Sequence, residues 1–456
     1  MQEFFRPLLQ LLKPFEDFFH AYLQEGILHS ILFQIFRYMH LYLYEYVDYL
    51  IFGIFAIPFF YLVPKKFRKY YLIFASFTMI SVMHGVLFTS CLLAFPVAIH
   101  FLVRHWQKRA LKDEVFRKKA TKGLVSFVIV FYLLLLAREH YHWSPLVPIF
   151  DMPLMVPLVH FAGIAFMLPK LIHYIVDSLS GKITISKTSH FALFMIFFPI
   201  FRLGPIEKFQ NFQRDILQSE QNGISRFDIG YGLYRITLGV IKSIIFTAVL
   251  YPWRIWSANH IGDASWWWLQ WMVFVGTFDV YFHFGGYSDI AVGFSRLLGF
   301  RAMENFYLPF LARNIGEMWR RWHISLSFWL RDYVFLPLGG SRKNGIRNAI
   351  ITFFICGVWH DLAWKYVLWG TLQGVALAVL GAWGMFWYQV ENKPNYMKPL
   401  KPIKAFMKAR PRLSYALGVF VTLEFFGLTG FYFVIGIDKA TYAVMRFFTF
   451  GWYVAP

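Results

Sequence analysis

Apolar runs longer than any soluble core requires recur along this 456-residue chain, among them YYLIFASFTMISVMHGVL at 70–87 and LWGTLQGVALAVLGAWGMF at 368–386. A lipid interior offers no water to backbone N–H and C=O groups, so a chain of this kind crosses it only as helices or as a closed barrel. Runs of about 17 to 25 residues fit a helix and are too long for a barrel strand. Candidate spans fall at 47–63, 70–87, 88–103, 123–139, 152–172, 230–251, 267–284, 347–363, 366–388 and 413–437. The 58% hydrophobic content exceeds the roughly 45 to 50% of a soluble domain, and the expected fold is an all-α polytopic membrane protein. The stretch 190–201 is too short to span and 286–300 is interrupted by Asp289 and Arg296, so both are expected to be re-entrant or interfacial.

The 45 basic residues outnumber the 25 acidic ones, a formal charge of +20. That excess is confined to a few segments between apolar runs, which fits membrane topology rather than nucleic-acid binding. Lys65, Lys66, Arg68 and Lys69 form one cluster, a second runs from Arg104 to Lys122, and a third from Lys393 to Arg412; the intervening loops at 140–151 and 252–266 hold only Arg254. Basic loops mark the cytoplasmic side. The resulting organisation is residues 1–46 as interfacial helices on the outer face, 47–437 as a transmembrane domain, and 438–456 as a short outer tail, in a multi-pass protein of the cytoplasmic (inner) membrane whose first partner is the lipid bilayer. No cleaved signal peptide is expected, since the start MQEFFRPLLQ lacks a basic region followed by a short apolar core. Cys91 and Cys356 lie inside apolar stretches, so neither a disulfide framework nor a cysteine metal site is expected.

Residues 301–346 break the pattern, combining Arg301, Arg313, Arg320, Arg321, Arg331, Arg342 and Lys343 with many Trp, Phe and Leu. Polar backbone at membrane depth is tolerated where it is buried in protein or lines a watery cavity, which leads to an expectation of short re-entrant helices opening a cavity from the cytoplasmic side. From Asn314 to Arg331 the spacing is helical: Trp319, Trp322, Leu326, Trp329 and Leu330 make an apolar stripe, and Glu317, Arg320, His323, Ser327 and Arg331 share the other face. The arginines fit an interfacial helix with its charged heads at phosphate level as well as they fit a ligand site.

Two polar words stand in this apolar setting: WRRWHISLS with His323 and GVWHD with His360. An ionisable side chain within membrane-grade sequence is costly, and marks a functional site by default. Burial after the run AIITFFICGVW favours an uncharged His360 ring able to accept a proton. Asp361 follows directly, about 100° round a helix from the histidine, and either caps a bend or orients a partner. A zinc site needs further ligands at short spacing, a serine triad a Gly-x-Ser-x-Gly elbow, and a phosphate loop a Gly-x-x-x-x-Gly-Lys word; none is present, and no metal is expected.

The words GGYSDIAVGFSRLLGF, NFYLPFLARNIGEMWRRWHISLSFWLRDYVFLPLGG and GVWHDLAWKYVLWG, dense over 285–370, resemble the membrane-bound O-acyltransferase family, in particular its bacterial branch of alginate O-acetylases and D-alanyl transfer proteins. Fainter likeness extends over roughly 47–390. The resemblance implies a bundle of about 10 to 12 helices with re-entrant segments around a central tunnel, with His360 and His323 as catalytic residues. It departs where Asp361 follows the histidine in place of glycine, and where a later His-Gly word reads TLQG with Gln373.

By the same resemblance the reaction moves an acyl group, acetyl first and D-alanyl second, from a cytoplasmic thioester to a hydroxyl of an extracytoplasmic polysaccharide or envelope polymer. No cofactor is expected to be bound; acetyl-coenzyme A or an acyl or D-alanyl carrier protein is the donor substrate. Arg320, Arg321 and Arg331 are candidates for donor phosphates or an acidic carrier surface, and Trp322, Ser327, Trp359 and Asp361 for the tunnel lining, although packing accounts for the tryptophans about as well. Either histidine serves as base with the other orienting. Asp289 and Asn305 are assigned structural roles, an intramembrane hydrogen bond and a helix-end cap. Related systems imply an extracytoplasmic serine-hydrolase-like partner of the SGNH type. A transporter or flippase is the competing class, but it usually carries inverted repeats, and none is visible.

Overall fold

The structure, a computed structural model, describes residues 49–141, 162–184, 186–221, 223–246, 249–250, 253, 261–262, 264–393 and 398–450. The expected outer helices of 1–46, the loop 140–151 beyond Tyr141, the first part of the 152–172 span and the end of the C-terminal tail lie outside the described residues. The chain divides into two compact units: one of Met1–Val130, Ser144–Ser257 and Phe278–Ala302, the other of Phe131–Trp143, Ala258–Thr277 and Met303–Pro456. Among the described residues there is no strand, only one isolated bridge. The molecule is an all-α membrane protein.

In the first unit, α1 (Tyr49–Leu62) leads into α2 (Arg68–His84) and α3 (Val86–Lys112). The break between α2 and α3 is at Gly85, whose φ of 89° suits glycine best. The long α4 (Glu114–Tyr141) follows, its residues from Phe131 on belonging to the second unit, then α5 (Ala162–Leu179), α6 (Thr188–Ile196), α7 (Phe209–Gln221) and α8 (Arg226–Val240). The apolar helical stretch from Thr188 ends at Ile200; at 1.5 Å per residue that is roughly 20 Å, short of a hydrocarbon core of about 30 Å. Polar α7 follows it in the chain. The core here is aromatic: Phe191, Phe194, Phe197, Phe198, Phe209 and Phe212 are almost completely buried, with Phe300 tilted against Phe197 at 4.5 Å and stacked on Phe212 at 4.7 Å.

The stretch 286–300 is not a separate re-entrant piece. It belongs to α9 (Trp266–Leu297), one continuous helix of 32 residues. Its charges are neutralised from α8 and the helical turn that follows it (Ile241–Phe246): Asp289 accepts from Arg235 and, at 2.8 Å, from Lys242, while Arg296 donates to Asp228 at 3.0 Å. The two helices approach backbone to backbone, since a Cβ on Gly239 or Gly232 would meet the carbonyl oxygen of Gly286 or Gly293. Neutralised charge and close packing let the helix run through without a break.

The second unit contains α10 (Ile315–Arg321), α11 (Ile324–Leu330), α12 (Gly345–His360), α13 (Trp364–Asn392), α14 (Lys401–Ala409), α15 (Pro411–Ile435) and α16 (Ile437–Phe448). Helices α12 and α13 form a tight antiparallel hairpin in which Gly370 faces the Phe353 carbonyl and Gly357 the Tyr366 carbonyl with no room for a side chain. Among the described residues α3, α13 and α15 are each long and apolar enough to cross a membrane. Their outward faces carry exposed Leu102, Val379 and Phe420, apolar surface that a bilayer covers.

The expected region of short helices at 301–346 is present, but 314–331 is not one helix. It is broken into α10 and α11 at Trp322–His323, so the polar face inferred from helical spacing is not continuous. The loop after α11 is clamped by buried Asn348, whose Nδ2 lies 3.0, 3.0 and 2.7 Å from the carbonyl oxygens of Leu338, Gly340 and Lys343. Asn348→Ala leaves these carbonyls unmatched and is expected to destabilise the protein by about 1 to 3 kcal/mol; thermal unfolding in detergent measures it, and an unchanged midpoint would remove the clamp from the account.

Candidate active site

His323 is 4% exposed and occupies the N-cap of α11 with φ 44° and ψ 53°. A non-glycine residue in the left-handed region costs of order 1 to 3 kcal/mol and persists only where its surroundings over-determine it. They do so here. The backbone of 305–307 lies alongside 321–324: Tyr307 N–H donates to the Arg321 carbonyl at 2.9 Å, and Ile324 N–H to the Asn305 carbonyl at 2.9 Å. The buried Asn305 side chain also accepts from Ser325 Oγ at 2.6 Å. Asn305 thus satisfies the start of α11 from across the chain, while the side-chain cap of α10 is Asn314, which accepts from Glu317 N–H.

His360 is the last residue of α12. The helix stops because Asp361 is fully extended, at φ −174° and ψ 160°, and its carboxylate accepts the Leu362 N–H at 2.6 Å. Asp361 therefore makes the bend between α12 and α13. The His360 ring sits in an aromatic cage: Trp359 at 4.7 Å, Phe433 at 5.0 Å, Trp369 at 5.3 Å and Tyr366 at 6.2 Å between centroids. Part of its surface stays accessible. Among the described residues no protein group hydrogen-bonds the ring, so its nitrogen lone pair is available to a ligand. Trp359 also faces the other histidine, 6.3 Å from His323, and the two imidazoles share this indole as a common wall.

The candidate residues divide accordingly. His323, Trp359, His360 and Asp361 come together, with Trp322 packed 4.9 Å from Phe426 beside them. Ser327 turns inward to the Trp322 carbonyl at 3.3 Å. Arg320 is exposed, Arg321 lies 5.7 Å over the Tyr307 ring, and Arg331 pairs with Asp332 at 2.7 Å and stacks on Phe328; the described contacts place none of these guanidinium groups on a histidine ring. Asp289 belongs to the other unit and serves the α8–α9 pair.

Sequence reading missed Tyr132, Tyr366, Trp369 and Phe433, which lie in apolar runs where an aromatic residue gives no signal. Tyr132, on α4, donates its hydroxyl to the Trp359 carbonyl at 3.1 Å. It caps the end of α12 one residue from His360. Tyr132→Phe removes one buried hydrogen bond, about 0.5 to 1.5 kcal/mol; a thermal midpoint lowered by that amount is expected, and an unchanged one would deny the contact.

Comparison with known proteins fits this geometry. The model of the family described as MBOAT, membrane-bound O-acyltransferase, matches residues 70–407. The chain is 35% identical to a probable alginate O-acetylase of Azotobacter vinelandii over 258 residues, covering 54% of this chain and 48% of that protein. It is 30% identical to a teichoic acid D-alanyltransferase of Streptococcus thermophilus over 288 residues, covering 59% and 66%, and 34% identical to a peptidoglycan O-acetyltransferase of Helicobacter pylori over 201 residues, covering 42% and 37%. The match spans about half the length of the alginate O-acetylase. Since the family model takes in most of the chain, including both histidine words and the α12–α13 hairpin, the chain belongs to the membrane-bound O-acyltransferase family.

Proposed function

We propose that this protein is an O-acyltransferase that moves a small acyl group, acetyl first, from a cytoplasmic thioester to a hydroxyl of an extracytoplasmic polysaccharide or other envelope polymer, as a multi-pass protein of the cytoplasmic membrane. The observation that carries the reading is the His360 ring, held at a helix end among four aromatic rings, with no protein hydrogen bond among the described residues, and sharing Trp359 with His323. Names of relatives that act on alginate, peptidoglycan and teichoic acid support a hydroxyl-bearing envelope polymer as acceptor.

A thioester is already activated, so the protein must bring a hydroxyl within about 3 to 3.5 Å of its carbonyl carbon and take up one proton. In this mechanism His360 accepts the hydroxyl proton as the oxygen attacks, and a tetrahedral oxyanion forms. The C–S bond then breaks, and the imidazolium returns the proton to the departing thiolate, leaving an ester and a free thiol. His323 orients the donor or hydrogen-bonds the oxyanion. Its strained backbone is the kind of feature that concentrates at working sites. Exposed Arg320, with Arg321 and Arg331, would receive donor phosphates or an acidic carrier; an outer serine-hydrolase-like partner would carry the acyl group onward.

The test supplies purified protein in lipid with radiolabelled acetyl-coenzyme A, or with an acyl carrier, and follows thioester loss and ester formation. Acetyl transfer that is lost in His323→Ala and His360→Ala supports the reading. Transfer from a D-alanyl carrier alone would reassign the acyl group, and lipid-dependent solute uptake without thioester loss would replace the enzyme by a transporter.

A further inference from the structure

Beneath the His360 cage lies a polar group that the mechanism does not use. Gln373, on α13, is completely buried at 0% exposure. Both ends of its carboxamide are engaged, which fixes its orientation: Oε1 accepts from Trp319 Nε1–H at 3.2 Å, and Nε2 donates to Thr429 Oγ1 at 2.8 Å. The Thr429 hydroxyl in turn donates to the Phe425 carbonyl at 2.7 Å. One side chain thus ties α10, α13 and α15 together.

The ring contacts carry this anchor to the reacting centre. Trp319 packs 4.6 Å from Phe353 of α12, 5.9 Å from Trp369 and 6.2 Å from Phe426. Trp369 lies 5.3 Å from His360 and 5.1 Å from Phe433, itself a wall of the cage. Trp319 also sits one turn before the strained His323 in chain order. An apolar residue of similar volume would fill the space at 373, but would not fix the rotation of the Trp319 indole.

We propose that Gln373 is a positioning residue of the transfer reaction: its carboxamide sets the Trp319 indole, and through Trp369 and the α10–α11 turn it holds both histidines in register. The inference rests on His360 as the centre of chemistry. A misplacement of about 1 Å in such a site costs up to about 10²-fold in rate, whereas a group that only supports folding changes the amount of folded protein and not the rate per folded molecule.

The experiment measures kcat, donor KM and thermal midpoint for Gln373→Leu, Gln373→His and the double variant Gln373→Leu with Thr429→Val. The His variant keeps one ring donor and one ring acceptor; the double variant also removes the Thr429 hydroxyl that the carboxamide met, so that the Trp319 N–H is the one group of the pair of bonds left without its partner. Expected are a kcat lowered by about 10- to 100-fold per folded molecule in both Leu variants, a donor KM within a factor of three or so, and recovery of most of the rate in Gln373→His. Wild-type kcat in either Leu variant overturns the inference, as does a loss that follows the folded fraction and vanishes in the double variant. His360→Ala in the same assay separates the two levels: an active His360→Ala overturns the reading of the site itself, and an inactive one beside an active Gln373→Leu overturns only the role of Gln373.

Discussion

His360→Ala is expected to lower acyl transfer by about 10² to 10⁴-fold, the usual worth of a general base, while the protein still folds and still binds its donor. The reasoning is local. The ring ends α12 and is held by aromatic contacts, with no protein hydrogen bond to its nitrogens among the described residues, so its removal costs packing but strands no buried polar partner. Trp369 and Phe433 keep their mutual contact, and the α12–α13 hairpin is secured by its own glycines. The measurement is single-turnover transfer together with detergent gel filtration and a thermal melt. A folded His360→Ala protein with more than a tenth of wild-type turnover would remove this residue from the chemistry.

Asp289→Ala is expected to act on folding, by about 3 to 5 kcal/mol, the cost of breaking a buried ion pair by deleting one partner. That is a large share of a domain stability of about 5 to 15 kcal/mol, so little folded protein should accumulate. Asp289, Arg235 and Lys242 are 7%, 10% and 17% exposed in their side chains, and loss of the carboxylate sets two cations against each other at the α8–α9 interface. Replacing all three by apolar residues, Asp289→Leu with Arg235→Met and Lys242→Met, should restore much of the stability, because an apolar set of similar volume carries no desolvation cost. Unfolding in denaturing detergent distinguishes the cases; a single variant as stable as the wild type would deny the cluster its structural role.

What could be read from the sequence was what depends on neighbours in the chain. Apolar length placed helices over the candidate spans that the structure describes, and the shortness of 190–201 set α6 apart from the long apolar helices. The two histidine words were conspicuous because polar residues interrupt apolar runs. The breaks and continuities decided by distant partners were not legible. Trp319, Trp322, Leu326 and Leu330 keep helical spacing straight through His323, with no proline or glycine at the break; the break is imposed by the backbone of Asn305 and Tyr307, which competes for the Ile324 N–H and the Arg321 carbonyl. Asp289 and Arg296 look like interruptions of a span until α8 supplies Arg235 and Asp228 and the turn after it Lys242. Phe433 and Tyr132, which complete the surroundings of His360, come from helices far away in sequence and carry no motif of their own.

The most direct measurement is a structure, by cryo-electron microscopy in lipid nanodiscs, of the protein bound to a non-reactive thioether analogue of the acyl donor. The account requires the acyl carbon beside the Trp359 indole, with room for a hydroxyl between it and the His360 ring at about 3 to 3.5 Å from the reacting carbon. An analogue seated elsewhere, with the aromatic cage closed around an unapproached His360, would contradict it.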